Sequence, residues 1–221
     1  IRDVFAEYAL TLSLISKSFG RIGNELTLLQ MTELGETEEF LGNRSIGSST
    51  MPQKKNPRGP GELIEYSRII PRISEIVLDD MINSFERDAE KSDDELRLIS
   101  ISTEAMLEKA KPLLRDLKVN KEKMRENLDI TNGLILSQRL TFFLGDKIGK
   151  DTANDLMHDV AKYALENNLS LKEAAMMNQK VSKNITETQI DEILNPETYI
   201  GLAVKQAELI IKEIKNKRSK D

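Results

Sequence analysis

The 221-residue chain has no cysteine, no tryptophan and a single histidine, His158. The missing cysteines exclude a disulfide-stapled secreted module and every thiolate-based zinc or redox centre. A lone imidazole cannot build a histidine-rich metal site, so no metal is expected. No apolar run approaches the roughly 20 residues that a membrane span requires. Aromatic residues are scarce, at 5% of the chain, but apolar residues make up 39% and recur periodically. That pattern excludes collagen-like, low-complexity and disordered chains. The formal net charge of −5 argues against a general nucleic-acid binder and leaves room for a local anion site. The chain opens at Ile1 in mid-pattern, without the regions of a signal peptide. The expectation is a fragment whose N-terminal part is missing.

Val4, Phe5, Tyr8, Leu12, Ile15, Phe19, Ile22, Leu26 and Leu29 recur at three and four residues. This spacing predicts a long amphipathic helix over 2–34. Gly20 and Gly23 lower its intrinsic propensity and admit a close neighbour. Residues 35–61 are rich in glycine and proline and read as a long loop, either functional or disordered. Helical periodicity resumes over 62–84, where Pro71 predicts a kink or an early end. Ser92-Asp93-Asp94-Glu95 has capping-box spacing and opens a helix to about Leu117, across Pro112. Asn120 caps another helix, and Asn132-Gly133 breaks or bends the chain before 134–148. Further helices are predicted over 152–167, 170–178, 186–194 and 199–217. No alternation persists long enough for a strand. The fold class is all-α, with long helices over 1–111 and a small helical domain over 112–221. The apolar stripes and the Met176-Met177 pair are expected in the core.

The chemistry concentrates in residues 47–57, Gly-Ser-Ser-Thr-Met-Pro-Gln-Lys-Lys-Asn-Pro. Gly47 and the small hydroxyl residues let backbone approach a ligand closely, and Pro52 and Pro57 stiffen the far half. Lys54, Lys55 and Asn56 form a natural clamp for a carboxylate or phosphate. A serine beside an ammonium group can act as a base or nucleophile. On these residues alone, a polar surface loop is the favoured reading.

The segment resembles the signature loop of the fumarase/aspartase superfamily, Gly-Ser-Ser-x-Met-Pro-x-Lys-x-Asn-Pro. The resemblance implies a central bundle of long helices followed by a smaller helical domain. It also implies a homotetramer whose active sites are shared between subunits, working without a cofactor or metal in the cytoplasm. The implied reaction is β-elimination of fumarate from a succinyl-bearing substrate. By this resemblance Ser48 is the catalytic base. Lys54 and Asn56 hold the substrate carboxylate and stabilise the carbanion, while Ser49, Thr50 and Met51 line the site. The superfamily places a histidine-orienting glutamate five residues after the signature asparagine. Here that place holds Gly61, and Glu62 follows, so Glu62 takes the role only if the turn at 58–60 carries an extra residue.

Residues 86–95, Glu-Arg-Asp-Ala-Glu-Lys-Ser-Asp-Asp-Glu, resemble a segment of the adenylosuccinate lyase branch. That resemblance makes Arg87 and Ser92 contacts to a nucleotide. Arg97 is displaced by one position from the branch's second arginine. Residues 124–128, 133–135 and 195–201 resemble the C-terminal domain of the same branch, as packing and capping positions. Gln53 is closer to argininosuccinate lyases. The implied function is cleavage of a succinyl nucleotide, adenylosuccinate or its imidazole carboxamide analogue. Another fumarate-releasing lyase is the alternative within the superfamily, and a non-catalytic helical oligomerisation module is the alternative outside it. The superfamily's catalytic histidines would precede Ile1, and His158 reads as a surface or packing residue. Glu36, Glu38 and Glu39 read as a solvated loop, and the basic tail to Lys220 as a helix C-terminus rather than a nucleic-acid site.

Overall fold

A computed structural model describes residues 3–40, 57–82 and 92–219. The chain divides between Met124 and Arg125 into two compact units. The expected 111/112 boundary instead falls inside a helix that crosses Pro112, as its sequence predicts. Proline removes one donor there, but only a single turn remains to be closed, and the helix runs on to Arg115.

The first unit is built on three long helices, α1 (Asp3–Leu29), α2 (Gly59–Asp79) and α3 (Asp93–Arg115). Its core comprises Leu26, Leu63, Ile70, Val77, Ile99, Met106 and Leu113. Each fully buried aliphatic side chain of this kind contributes about 1.5–3 kcal/mol. Pro71 lies inside α2 and does not break it. The face that α1 turns inward keeps only part of its expected apolar stripe: Leu26 is buried, and Leu12, Phe19 and Ile22 pack half-buried against the core. The other buried positions are small: Ala6, Ala9, Ser13, Ser16, Gly20 and Gly23. Ser13 donates to Ser74 of α2 at 2.9 Å. A Cβ at Gly20 would lie 2.3 Å from Ser67 Oγ, and one at Gly23 2.5 Å from the Pro60 carbonyl. The two helices approach where neither carries bulk. Phe5, Tyr8, Leu14 and Ile15 are exposed, and Val4 is 71% exposed.

Two short strands, absent from the sequence expectation, pair antiparallel: β1 (Thr37–Glu38) and β2 (Lys118–Val119), with Thr37 opposite Val119. A two-residue strand has no alternation to read. Asn120 then caps α4 (Lys121–Asn127), accepting from the Lys123 amide at 3.0 Å.

The second unit holds short helices around one core. They are α5 (Ser137–Ile148), α6 (Lys150–Glu166), α7 (Leu171–Met177), α8 (Gln179–Ser182), α9 (Glu187–Ile193) and α10 (Ala203–Arg218). A 3-10 turn over Leu134–Leu136 enters α5 after Asn132 and Gly133, both at positive φ. Leu140, Leu144, Val160, Leu171, Val181 and Ile190 are buried together. Met176 packs against this core, whereas Met177 is 62% exposed, because it follows Met176 around the helix onto the outer face. Arg139 donates to the Ile193 and Asn195 carbonyls at 3.0 and 3.2 Å and lies over the Tyr199 ring. It thereby holds the Asn195-Pro196 turn at the end of α9. Asn195 itself accepts from the Glu197 amide, as its capping role requires. Helix α10 buries none of its residues.

Candidate active site

Helix α2 starts on Gly59-Pro60, where proline's missing N–H is one of the donors a helix start leaves unpaired anyway. Arg58, the N-cap residue, supplies no side-chain acceptor. The acceptor arrives from the far side of the signature segment. The Glu39 carboxylate takes the Arg58 amide at 2.9 Å and the Gly59 amide at 3.0 Å. A carboxylate at a helix N-terminus satisfies orphan donors and complements the macrodipole. Glu39 is anchored in turn: its own N–H donates to Gln30 Oε1 at 2.8 Å, and Gln30 Nε2 donates to the Leu26 carbonyl at 3.0 Å. A Cβ at residue 59 would meet Glu39 Oε1 at 2.7 Å, so glycine keeps this approach open. The solvated-loop reading of Glu39 is therefore corrected. Glu38 pairs with Lys118 at 3.8 Å. Among the described residues no three carboxylate, histidine or cysteine side chains gather as a metal site.

Glu62 stands one turn into α2. It meets Lys109 of α3 at 3.1 Å and Arg58 at 3.6 Å. A cavity of 390 Å³ opens beside it, walled by Glu39, Phe40, Gly59, Lys109 and Leu113. Both cations here face the Glu62 carboxylate. The Gly61 position is exposed, with nothing within 4 Å of a Cβ placed there.

Ser92 is 5% exposed and stands at the N-cap of α3, but the expected capping box does not form. Its hydroxyl donates to the Ile76 carbonyl of α2 at 3.4 Å, and its amide to Asp80 at 2.8 Å. The tertiary acceptor takes the hydroxyl away from its own helix. Arg97 is exposed and pairs with Asp94 at 3.2 Å. His158 is exposed on α6. The signature residues Ser48, Ser49, Thr50, Met51, Lys54 and Asn56, together with Arg87, lie outside the described residues. The described site therefore brings together Glu39, Arg58, Glu62 and Lys109 where that segment leaves and returns.

Two family models match the chain: Lyase over residues 1–69 and Adenylosuccinate lyase C-terminus over residues 133–209. An adenylosuccinate lyase from Methanocaldococcus jannaschii is 36% identical over 98% of this chain and 48% of its own length. The chain belongs to the fumarase/aspartase superfamily. A second superfamily relative is as similar. An N-acetyl-S-(2-succino)cysteine lyase from Dickeya dadantii is 36% identical over 96% of this chain and 47% of its own. Among solved structures, a 3-carboxy-cis,cis-muconate lactonizing enzyme from Pseudomonas putida superposes with a TM-score of 0.81. It is 30% identical over 91% of this chain and 46% of that one. The chain spans about half the length of the curated relatives it matches.

Within the superfamily frame, the signature motif was legible in sequence and Glu39 was not. Two signals were available for it. The sequence places a carboxylate just before the loop, and it places a Gly-Pro helix start with no capping side chain just after.

Proposed function

We propose that this chain is the C-terminal half of a fumarate-releasing lyase of the adenylosuccinate lyase type. The observation that carries the reading is the ungapped signature at 47–57 in a chain whose later residues, 133–209, match the adenylosuccinate lyase C-terminus. Ser48 removes a proton from the substrate carbon next to a carboxylate, breaking the C–H bond. The electron pair collects on that carboxylate as an aci-carboxylate, whose charge Lys54 and Asn56 stabilise. The pair then forms the fumarate double bond as the C–N bond breaks, and a general acid outside this chain protonates the departing nitrogen. Adenylosuccinate yields AMP and fumarate, and SAICAR yields AICAR and fumarate. Arg87, Ser92 and Arg97 take the nucleotide side, and Glu62 is the histidine-orienting residue proposed for the displaced position. The elimination proposed needs neither metal nor cofactor.

The second reading is cleavage of a succinylated thiol, favoured by the equal identity to the N-acetyl-S-(2-succino)cysteine lyase. It needs the same base and the same carboxylate clamp. A thiolate departs with far less acid assistance than a nitrogen, since a cysteine thiol has a pKa of about 8.5.

The proposed assembly is a cytoplasmic homotetramer with shared active sites. Its support is the set of large apolar side chains that α1 leaves in solvent, together with the superfamily membership. No helix among the described residues is long and apolar enough to cross a membrane. A light-scattering mass of one protomer for the whole protein at micromolar concentration sinks the tetramer.

Fumarate release from adenylosuccinate and N-acetyl-S-(2-succino)cysteine, followed by absorbance, tests the function. Turnover of adenylosuccinate by the whole protein is expected, with a loss of at least about 10³-fold in Ser48→Ala. Turnover of the thioether alone selects the second reading. Turnover of neither rejects both.

A further inference from the structure

The start of α2 is held by a residue from the opposite end of the signature segment. A local N-cap accepts from amides two or three residues on. Here the acceptor, Glu39, precedes its donors Arg58 and Gly59 by 19 and 20 residues, and the signature lies between them. The carboxylate spends both oxygens on this join, Oε2 on Arg58 and Oε1 on Gly59. Gly59 gives it room, since a Cβ there would lie 2.7 Å from Oε1. Gln30 stops Glu39 from drifting, because it binds the Glu39 amide on one side and the Leu26 carbonyl at the end of α1 on the other. Leu26 and Pro60 are buried, so both ends of this relay rest on the core of the first unit. The hydrogen bonds run without a gap from α1 through Gln30 and Glu39 to the first turn of α2. Phe40, where the signature segment departs, and Pro57, where it returns, flank this relay.

We propose that Glu39 is a positioning residue for the elimination: it ties Phe40, where the signature segment departs, to Arg58 and Gly59, just after it returns, and the rate of the elimination depends on that tie. The inference rests on the proposed function, and it assigns Glu39 no contact with substrate. A displacement of about 1 Å in a catalytic group can cost about 10²-fold in rate. A tie at the base of the segment that carries the base and the carboxylate clamp therefore has leverage that its distance from the chemistry would hide. Neutral glutamine keeps one carbonyl oxygen for the two amides, so it preserves part of the tie. Alanine preserves none.

The test uses the whole protein and its Glu39→Ala, Glu39→Gln and Gly59→Ala variants, with fumarate release from adenylosuccinate and from N-acetyl-S-(2-succino)cysteine as the readout. The expected result for Glu39→Ala is a kcat about 10²-fold lower at unchanged assembly size, with the melting temperature lowered only as the loss of a helix cap lowers it. Glu39→Gln should recover at least about 10-fold of that loss, and Gly59→Ala, which pushes the carboxylate aside, should fall on the same side as alanine. The kcat/KM–pH profile of Glu39→Ala should shift along the pH axis, which a smaller folded fraction cannot produce. If Glu39→Ala does not fold, Glu39→Gln and Gly59→Ala carry the same comparison. A kcat within about 2-fold of wild type, with the pH profile in place, overturns the inference while leaving the function standing. If wild type releases fumarate from neither substrate, the functional reading fails instead, and trypsin decides on the tie. Cleavage after Arg44, Lys54 or Lys55 at least about 10-fold faster in Glu39→Ala supports it, and an equal rate overturns it.

Discussion

Ser170 and Ser92 carry the same Ser-x-x-Glu spacing and end differently. Ser170 Oγ accepts from the Glu173 amide, and the Glu173 carboxylate accepts from the Ser170 amide at 2.8 Å, a complete capping box for α7. Ser92 has a helix beside it whose Ile76 carbonyl takes its hydroxyl. Spacing alone cannot register that competitor, which is why the box expected at Ser92 does not form. Thr186 and Gln189 build a third box, for α9, from neutral groups. Ser170→Ala should destabilise the second unit by about 1 kcal/mol in urea unfolding. The Ser170 hydroxyl, and after it the Ser170 amide, hold the Glu173 carboxyl below its ordinary value of 4.5. A depressed carboxyl stabilises the fold above its unfolded pKa, and this is lost as pH falls through the folded one. Urea midpoints of wild type and Glu173→Gln should therefore differ at neutral pH and converge as pH drops from 4.5. Gln189→Glu should import the same acid sensitivity into α9. A gap between wild type and Glu173→Gln that persists unchanged through the acid range would reject this account.

At the scale of elements, periodicity announced α1 and named only part of its inner face, Leu12, Phe19, Ile22 and Leu26. A spacing of three and four residues marks a helix, but α1 also repeats small residues at nearly the same interval, Ala6, Ala9, Ser13, Ser16, Gly20 and Gly23. The small set faces α2 because it lets the backbones close in, with Ser67 lying against Gly20. Large side chains are easy to count in a sequence, and absent ones are easy to overlook. Gly20→Ala should destabilise the first unit by about 1–3 kcal/mol, since its Cβ has no room beside Ser67. Ser67→Gly in the same chain should return most of that loss, and additive losses in the double-mutant cycle would disprove the contact. The small strand pair of 37–38 and 118–119 was missed for the opposite reason. It is fixed by where α1 and α3 end, not by any pattern of its own.

On the scale of the whole molecule, the all-α class and the long-then-short order of helices were legible, because they follow from periodicity and capping residues. The division at Met124 lies beyond the expected 111/112 boundary, which falls inside the helix that runs to Arg115. Each apolar core lies within one unit, over 9–117 in the first and 134–194 in the second. Residues 125–219 expressed alone should therefore give a helical circular-dichroism spectrum and a single cooperative melt. A non-cooperative melt would show that this core is not self-sufficient. The chemistry divides the other way. The signature motif singles out Ser48, Lys54 and Asn56 by resemblance, whereas Glu39, whose partners are far away in sequence, was passed over.

The inward set of small residues on α1 has one more consequence. Because glycine and serine occupy the intramolecular contact, Val4, Phe5, Tyr8 and Leu14 stay exposed, and in the proposed assembly a neighbouring chain covers them. Folding and association then draw on the same helix, and the law of mass action applies to both. The melting temperature of the whole protein should climb with its concentration and fall on dilution. A Phe5→Ser variant should steepen that dependence while leaving the α1–α2 contact intact. A melting temperature that ignores a hundredfold dilution would mean that α1 keeps its shape without company.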